Sequence, residues 1–179
     1  GRLPYGLVED KPRFGWRGLL VDVCRHFFPV STLYRLVDLM AYYKYNRLHL
    51  HLSDDQGFRF ESERYPRLNS VGSWRKSTLK KRGAAAQDGA PHGGYYTKRE
   101  LSELVAYAKT RGVEIVPELD MPGHAVAMLA AYPAPFRMDT PERALYGELI
   151  ASFAIALCGA TQLFLGERDA VVTQGYYAD

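Results

Sequence analysis

Asp120-Met-Pro-Gly-His124 follows the apolar run Val113–Leu119 directly, so a carboxylate and an imidazole sit side by side where a strand should end. Upstream, Leu48-His-Leu-His-Leu-Ser-Asp54-Asp55 repeats the arrangement: an apolar strand, then acids at its tip. Active sites of parallel α/β folds lie at that end of the strands. Asp54, Asp120 and His124 are therefore candidates for one rim. Core packing does not demand such groups there, although a lone His124 is more often a satisfied structural histidine. His49-Leu-His51 admits a metal reading, because alternate residues share a strand face and two imidazoles can converge on zinc. Such a hydrolase site needs ligands from later strands, and only His26, His92 and His124 remain. A packed or hydrogen-bonded His51 is the favoured reading, with no metal and no cofactor expected.

The elements that must carry these residues read as βα units. Leu19–Cys24 is short, apolar and branched, as in a buried strand. Ser31 or Thr32 can cap a helix in which Leu33, Leu36, Val37, Met40 and Ala41 recur at helical spacing. Arg47–Leu52 is the next strand, and strand-helix-strand makes one βαβ unit. Residues 53–96 read as a long irregular stretch, of the sort that builds binding sites at a strand's C-terminal end. Thr97-Lys-Arg-Glu100 opens a helix as a capping box. Its buried stripe is Leu101, Leu104, Val105 and Ala108, and Gly112 stops it. Val113–Leu119 is a third strand and Ala125–Ala131 a short helix closed by Pro133.

Three successive βα units with acids at the rim point to an α/β fold of the (β/α)8 TIM-barrel type rather than an open sheet. No Gly-rich phosphate loop follows the first strand, which counts against a dinucleotide fold. A full barrel needs roughly 250 residues, so the expectation is a partial barrel of about three units. Residues 1–136 would form that domain and 137–179 an unassigned tail. An incomplete barrel leaves a sheet edge unpaired, and poor solubility or a need for a partner segment is expected.

Composition excludes little. The 179 residues are 47% hydrophobic and 24% charged, enough for one domain with a real core. A net charge of +3 is too weak to argue for nucleic acid. The basic run Trp74–Arg82 reads as a solvated loop. Cys24 and Cys158 make no disulfide framework, and Cys24 reads as a small core residue. Leu149–Leu165 carries no charge but is short for a membrane span and diluted by Ser152, Gly159, Thr161 and Gln162. A buried helix or strand pair is preferred there. Gly1–Tyr5 does not read as a signal peptide.

The motifs taken in order make a more specific pattern. Asp10-Lys-Pro-Arg-Phe14, Trp16-Arg-Gly18, Asp22-Val-Cys-Arg-His26, Asn46–Arg59, Tyr65-Pro-Arg-Leu68, Gly94-Tyr-Tyr-Thr97 and Pro117–His124 follow one another along residues 9–136. This succession resembles glycoside hydrolase family 20, the β-N-acetylhexosaminidases. The resemblance implies a (β/α)8 barrel that releases terminal β-linked N-acetylglucosamine or N-acetylgalactosamine with retention. In that family the substrate's own acetamido oxygen attacks the anomeric carbon, an exception to the two-carboxylate scheme. An adjacent Asp-Glu pair orients the acetamide and protonates the leaving oxygen.

By resemblance, Arg25 matches the arginine that binds hydroxyls of the terminal sugar. Alone, it would read as a capping or ion-pairing residue. Asp54 and His124 match a buried pair that tunes the catalytic acid, and Asp120 a second supporting acid. The implied partner is an oligosaccharide or glycoconjugate ending in N-acetylhexosamine. Family members are commonly secreted, periplasmic or lysosomal, and nothing in the chain selects among these. The chain departs from the pattern in one respect: no Asp-Glu dipeptide follows His124. Leu165-Gly-Glu-Arg-Asp169 has related letters in the wrong order, so neither role passes to Glu167 or Asp169. The competing expectation is thus an inactive relative that keeps the sugar-facing rim without its acid.

Overall fold

A computed structural model describes residues 5–80, 86–120 and 123–133. In chain order the elements are β1 (Gly18–Asp22), α1 (Val30–Tyr42), β2 (Arg47–His51), β3 (Ser53–Asp54), β4 (Gly57–Phe58), α2 (Arg67–Ser70), β5 (Trp74–Arg75), β6 (His92–Gly93), α3 (Lys98–Thr110), β7 (Glu114–Glu118) and α4 (Val126–Ala131). β2 lies between β1 and β7 in a parallel three-stranded sheet. The register sets Asp22, His51 and Glu118 side by side at the strands' C-terminal ends.

The two faces of β2 differ in chemistry because side chains alternate along a strand. Leu48 and Leu50 enter the apolar core with Leu33, Val37 and Met40 of α1 and Leu101 and Leu104 of α3. Full burial of such side chains stabilises the fold by roughly 1.5–3 kcal/mol each, before the entropy of ordering them. Arg47, His49 and His51 take the other face, where Arg47 pairs with Glu114 of β7 at 2.9 Å. Both histidines pair with Glu118 on that face.

α3 forms as its capping box dictates. Thr97 Oγ1 accepts the Glu100 N–H at 3.1 Å, and Glu100 Oε2 accepts the Thr97 N–H at 2.8 Å. Its buried residues are Leu101, Leu104, Val105 and Ala108, the stripe expected from the spacing. α1 starts earlier than Ser31 or Thr32 would set it. Pro29 is the N-cap, with no side-chain cap, and its carbonyl accepts the Thr32 N–H at 2.9 Å. A backbone acceptor thus satisfies a donor that a hydroxyl cap would otherwise take.

Three further expectations are corrected. β1 is not the buried strand that its apolar run implies, since Leu19 and Leu20 are 37% and 51% exposed. Among the described residues β1 has a single strand neighbour, which leaves its side chains uncovered. The described residues within 53–96, namely 53–80 and 86–96, are more ordered than their composition suggests. They form two short antiparallel ladders, Ser53–Asp54 with Gly57–Phe58 and Trp74–Arg75 with His92–Gly93. Arg75 is not a solvated loop residue, since its Nη2 donates to the Arg25 carbonyl at 2.8 Å.

Arg59 gives this region its anchor. It is wholly buried, and its donors reach the carbonyls of Val23 (2.9 Å), Cys24 (2.7 Å), Ser73 (2.6 Å) and Gly94 (2.9 Å). Gly57 makes room for it, as a Cβ there would lie 2.3 Å from the guanidinium. The clamp fixes the backbone immediately before Arg25. No helix among the described residues is long and apolar enough to cross a membrane. Leu149–Leu165, Cys158, Glu167, Asp169 and the expected tail 137–179 lie outside the described residues.

Candidate active site

Arg25 sits just past β1 in a turn organised by Asp22. Asp22 Oδ1 accepts the N–H groups of Cys24 and Arg25, both at 2.9 Å. Its Oδ2 pairs with Arg25 Nη1 at 2.8 Å. From the other side, Asp54 Oδ2 pairs with Arg25 Nη2 at 2.6 Å. The guanidinium is thereby gripped at two nitrogens while its side chain stays 48% exposed, which leaves further N–H donors facing outward.

Asp54 is the hub. Its side chain is fully buried, and its Oδ2 also lies 2.6 Å from His51 Nε2. Oδ1 accepts the Asp55 N–H at 2.6 Å and lies 3.4 Å from His124 Nδ1. His51 turns its other nitrogen to Glu118, with Nδ1 3.0 Å from Oε1, and His49 Nε2 meets Glu118 Oε2 at 2.5 Å. An imidazole with carboxylates on both nitrogens satisfies both only when it carries both protons.

The electrostatics agree with that geometry. Burial alone would push His51 down, but hydrogen bonds to Asp54 and Glu118 and the Glu118 charge outweigh it and raise its pKa to about 9. For Glu118, burial pushes upward, and hydrogen bonds from His49 and His51 more than offset it, lowering its pKa to about 2. Asp54 is likewise lowered: burial opposes ionisation, while His51, the Asp55 N–H and Arg25 favour it more strongly.

The structure brings Arg25, Asp54 and His124 together. Asp120 stands behind them, buried at the end of β7, its N–H donating to Ser53 Oγ at 2.8 Å. Its carboxylate belongs to a group with His51 and Glu118 whose polar atoms lie within 4.8 Å of one another. His124 differs from expectation, because its side chain is 52% exposed rather than buried. Its backbone is left-handed at φ 51°, a conformation few non-glycine residues adopt, and its ring lies beside Asp54. Met121 and Pro122 of the expected turn lie outside the described residues.

Sequence reasoning does not single out Asp22 or Glu118, and it weighs His51 only as a zinc ligand or a packed, hydrogen-bonded residue, not as a partner of Asp54. The alternation His49-Leu-His51 marks one polar strand face, but only the register shows that Glu118 completes it. Among the described residues, three groups bring ligand atoms within 4.8 Å: Asp22, Cys24 and His51; His51, Glu118 and Asp120; and Asp54, Asp55 and His124. In the first two groups His51 already faces carboxylates at both ring nitrogens, Asp54 at Nε2 and Glu118 at Nδ1.

Comparison with known proteins adds an independent line. The family model described as glycosyl hydrolase family 20, catalytic domain, matches residues 14–159. A β-hexosaminidase of Akkermansia muciniphila is 52% identical over 140 residues, covering 78% of this chain and 27% of that protein. A β-hexosaminidase of Porphyromonas gingivalis is 42% identical over 142 residues, covering 78% of this chain and 17% of that one. The chain therefore spans little more than a quarter of the length of these relatives, or less. Among solved structures, a β-N-acetylhexosaminidase superimposes with a TM-score of 0.73 at 44% identity, covering 84% of this chain and 34% of the other. An exo-β-N-acetylglucosaminidase from Vibrio harveyi, bound to N-acetylglucosamine, gives 0.71 at 30% identity, covering 82% and 26%.

Proposed function

This chain belongs to glycosyl hydrolase family 20, and we propose that it serves the removal of terminal, non-reducing N-acetylglucosamine or N-acetylgalactosamine from oligosaccharides or glycoconjugates. The reaction is hydrolysis with retention, the substrate's acetamido oxygen attacking the anomeric carbon. In this reading β1, β2 and β7 with their helices are the first three βα units of a (β/α)8 barrel within residues 1–136, followed by a distinct segment 137–179.

One observation carries the proposal: Arg25, Asp54 and His124 form a single contiguous group at the C-terminal ends of parallel strands. Arg25 offers its outward N–H donors to the ring hydroxyls of the terminal sugar. Asp54, held ionised, presents Oδ1 to His124. The half-exposed imidazole supports the group that protonates the leaving oxygen. Asp120 stands beside His51 and Glu118 as a second supporting acid.

A second reading rests on its own observation, the lack of an Asp-Glu dipeptide after His124. Under it the chain binds the terminal sugar without cleaving it. Incubating the purified chain with a chromogenic N-acetyl-β-glucosaminide separates the two. Release of chromophore that disappears in His124→Ala supports hydrolysis. Sugar binding without release supports the second reading, and neither binding nor release from folded protein overturns both.

A further inference from the structure

Resting on the sugar-binding reading of Arg25, we propose that His51 and Glu118 are positioning residues that act through Asp54, aiming the Arg25 guanidinium and turning one Asp54 oxygen toward His124. The bonds form an unbroken series from β7 to the turn after β1. Glu118 Oε1 meets His51 Nδ1 at 3.0 Å, His51 Nε2 meets Asp54 Oδ2 at 2.6 Å, and that oxygen meets Arg25 Nη2 at 2.6 Å.

Occupancy of the oxygens supplies the reason. Glu118 spends Oε1 on His51 and Oε2 on His49. Asp54 Oδ2 is shared by His51 and Arg25, so the Oδ1 side is left for the Asp55 N–H and His124. Rotating the Asp54 carboxylate out of this pose would strip two charge-assisted bonds at once. Glu118 matters at one remove: it accepts from His51 Nδ1–H, and its charge favours the doubly protonated ring, which then donates from Nε2 to Asp54 as well. Asp22 grips Arg25 only at Nη1, so loss of the Asp54 contact leaves the guanidinium free to turn about that single point.

His51 is faced from every side by groups that bear on its charge. Asp22 and Cys24 come from the end of β1, Asp54 from β3, and Glu118 and Asp120 from β7 and its end. Arg25 Nη1, at 3.3 Å, is the opposing cation. The carboxylates prevail, and His51 keeps its charge to a pKa of about 9.

The test uses the full chain labelled with ¹³C and ¹⁵N, reading the Arg25 guanidinium by carbon-detected NMR and affinity for N-acetylglucosamine by titration. The variants are His51→Gln, Glu118→Gln and, as a control on the same strand, Glu114→Gln. Separate Arg25 Nη signals are expected in the wild type and the control, merging in the other two variants. Affinity should fall on the order of tenfold in those two alone. An Arg25 that stays locked in His51→Gln, with affinity unchanged, overturns the proposal. If the wild type fails to bind N-acetylglucosamine while the NMR pattern holds, positioning stands and the sugar reading falls. Should the variants not fold, the wild type decides: its Arg25 signals merge as pH rises through about 9, or their persistence above it refutes the relay.

Discussion

Arg59 and His51 are both buried cations, and they are neutralised in opposite ways. Arg59 is surrounded by the carbonyls of Val23, Cys24, Ser73 and Gly94, which carry no formal charge and do not titrate. His51 lies between the carboxylates of Asp54 and Glu118, and all three groups titrate. The first arrangement ties several backbone segments into one frame whatever the pH. The second fixes side-chain orientation and protonation together, so it can be tuned and also lost by titration. The two meet at Arg25: the Arg59 clamp sets its backbone and the His51 relay its guanidinium.

Removing the clamp should cost most. Arg59→Leu orphans four buried carbonyls, and the loss in urea unfolding is expected to be about 4 kcal/mol, nearly constant with pH. A loss that varies steeply with pH would blur the contrast with His51. Gly94→Ala strikes the same frame from outside. Its φ is +142°, and an added Cβ would lie 2.4 Å from the Phe27 ring. About 2–3 kcal/mol of destabilisation is expected by the same measurement.

His51→Gln should cost about 2 kcal/mol near pH 6, because Asp54 and Glu118 then lose a charged partner. The sign of the pH dependence follows from the direction of each shift. His51 is raised from 6.5 to about 9, so its contribution is complete below 6.5 and lost as pH rises through about 9. Glu118 is lowered from 4.5 to about 2, so its contribution is complete above 4.5 and lost as pH falls through about 2. Thermal midpoints should therefore be highest between pH 4.5 and 6.5. The alkaline decline should flatten in His51→Gln, and an unaltered decline would assign it elsewhere. Smallest of the set, Thr97→Ala removes the α3 cap and should lower stability by about 1 kcal/mol without touching sugar affinity. A loss of affinity in that variant would mean the site and the helix cap are not independent.

Local patterns are the legible part of the fold. α3 follows from its capping box and apolar stripe, because both signals lie within a few residues and act on the backbone directly. β2 follows from the alternation of leucines with polar residues, and β7 from a short apolar run between acidic ends. Asp54, Asp120 and His124 are visible as acids and an imidazole at strand tips. Arg25 becomes visible only through resemblance. What escapes notice depends on register. His51 and Glu118 lie far apart in the chain and meet only because β2 and β7 pair in the one alignment that sets them side by side. Arg59 escapes for a related reason. Its acceptors are backbone carbonyls of Val23, Cys24, Ser73 and Gly94, whose positions no side-chain pattern encodes. The exposure of Leu19 and Leu20 shows the converse, since an apolar run states what a strand can bury and not what covers it.

The central claim is that Arg25, aimed by this network, holds a terminal N-acetylhexosamine. Calorimetric titration of the full chain with N-acetylglucosamine, beside Arg25→Ala and with glucose as the comparison sugar, tests it most directly. Saturable binding of N-acetylglucosamine that is lost in Arg25→Ala is the predicted result. Equal affinity in the two proteins, or none in a folded wild type, would contradict it.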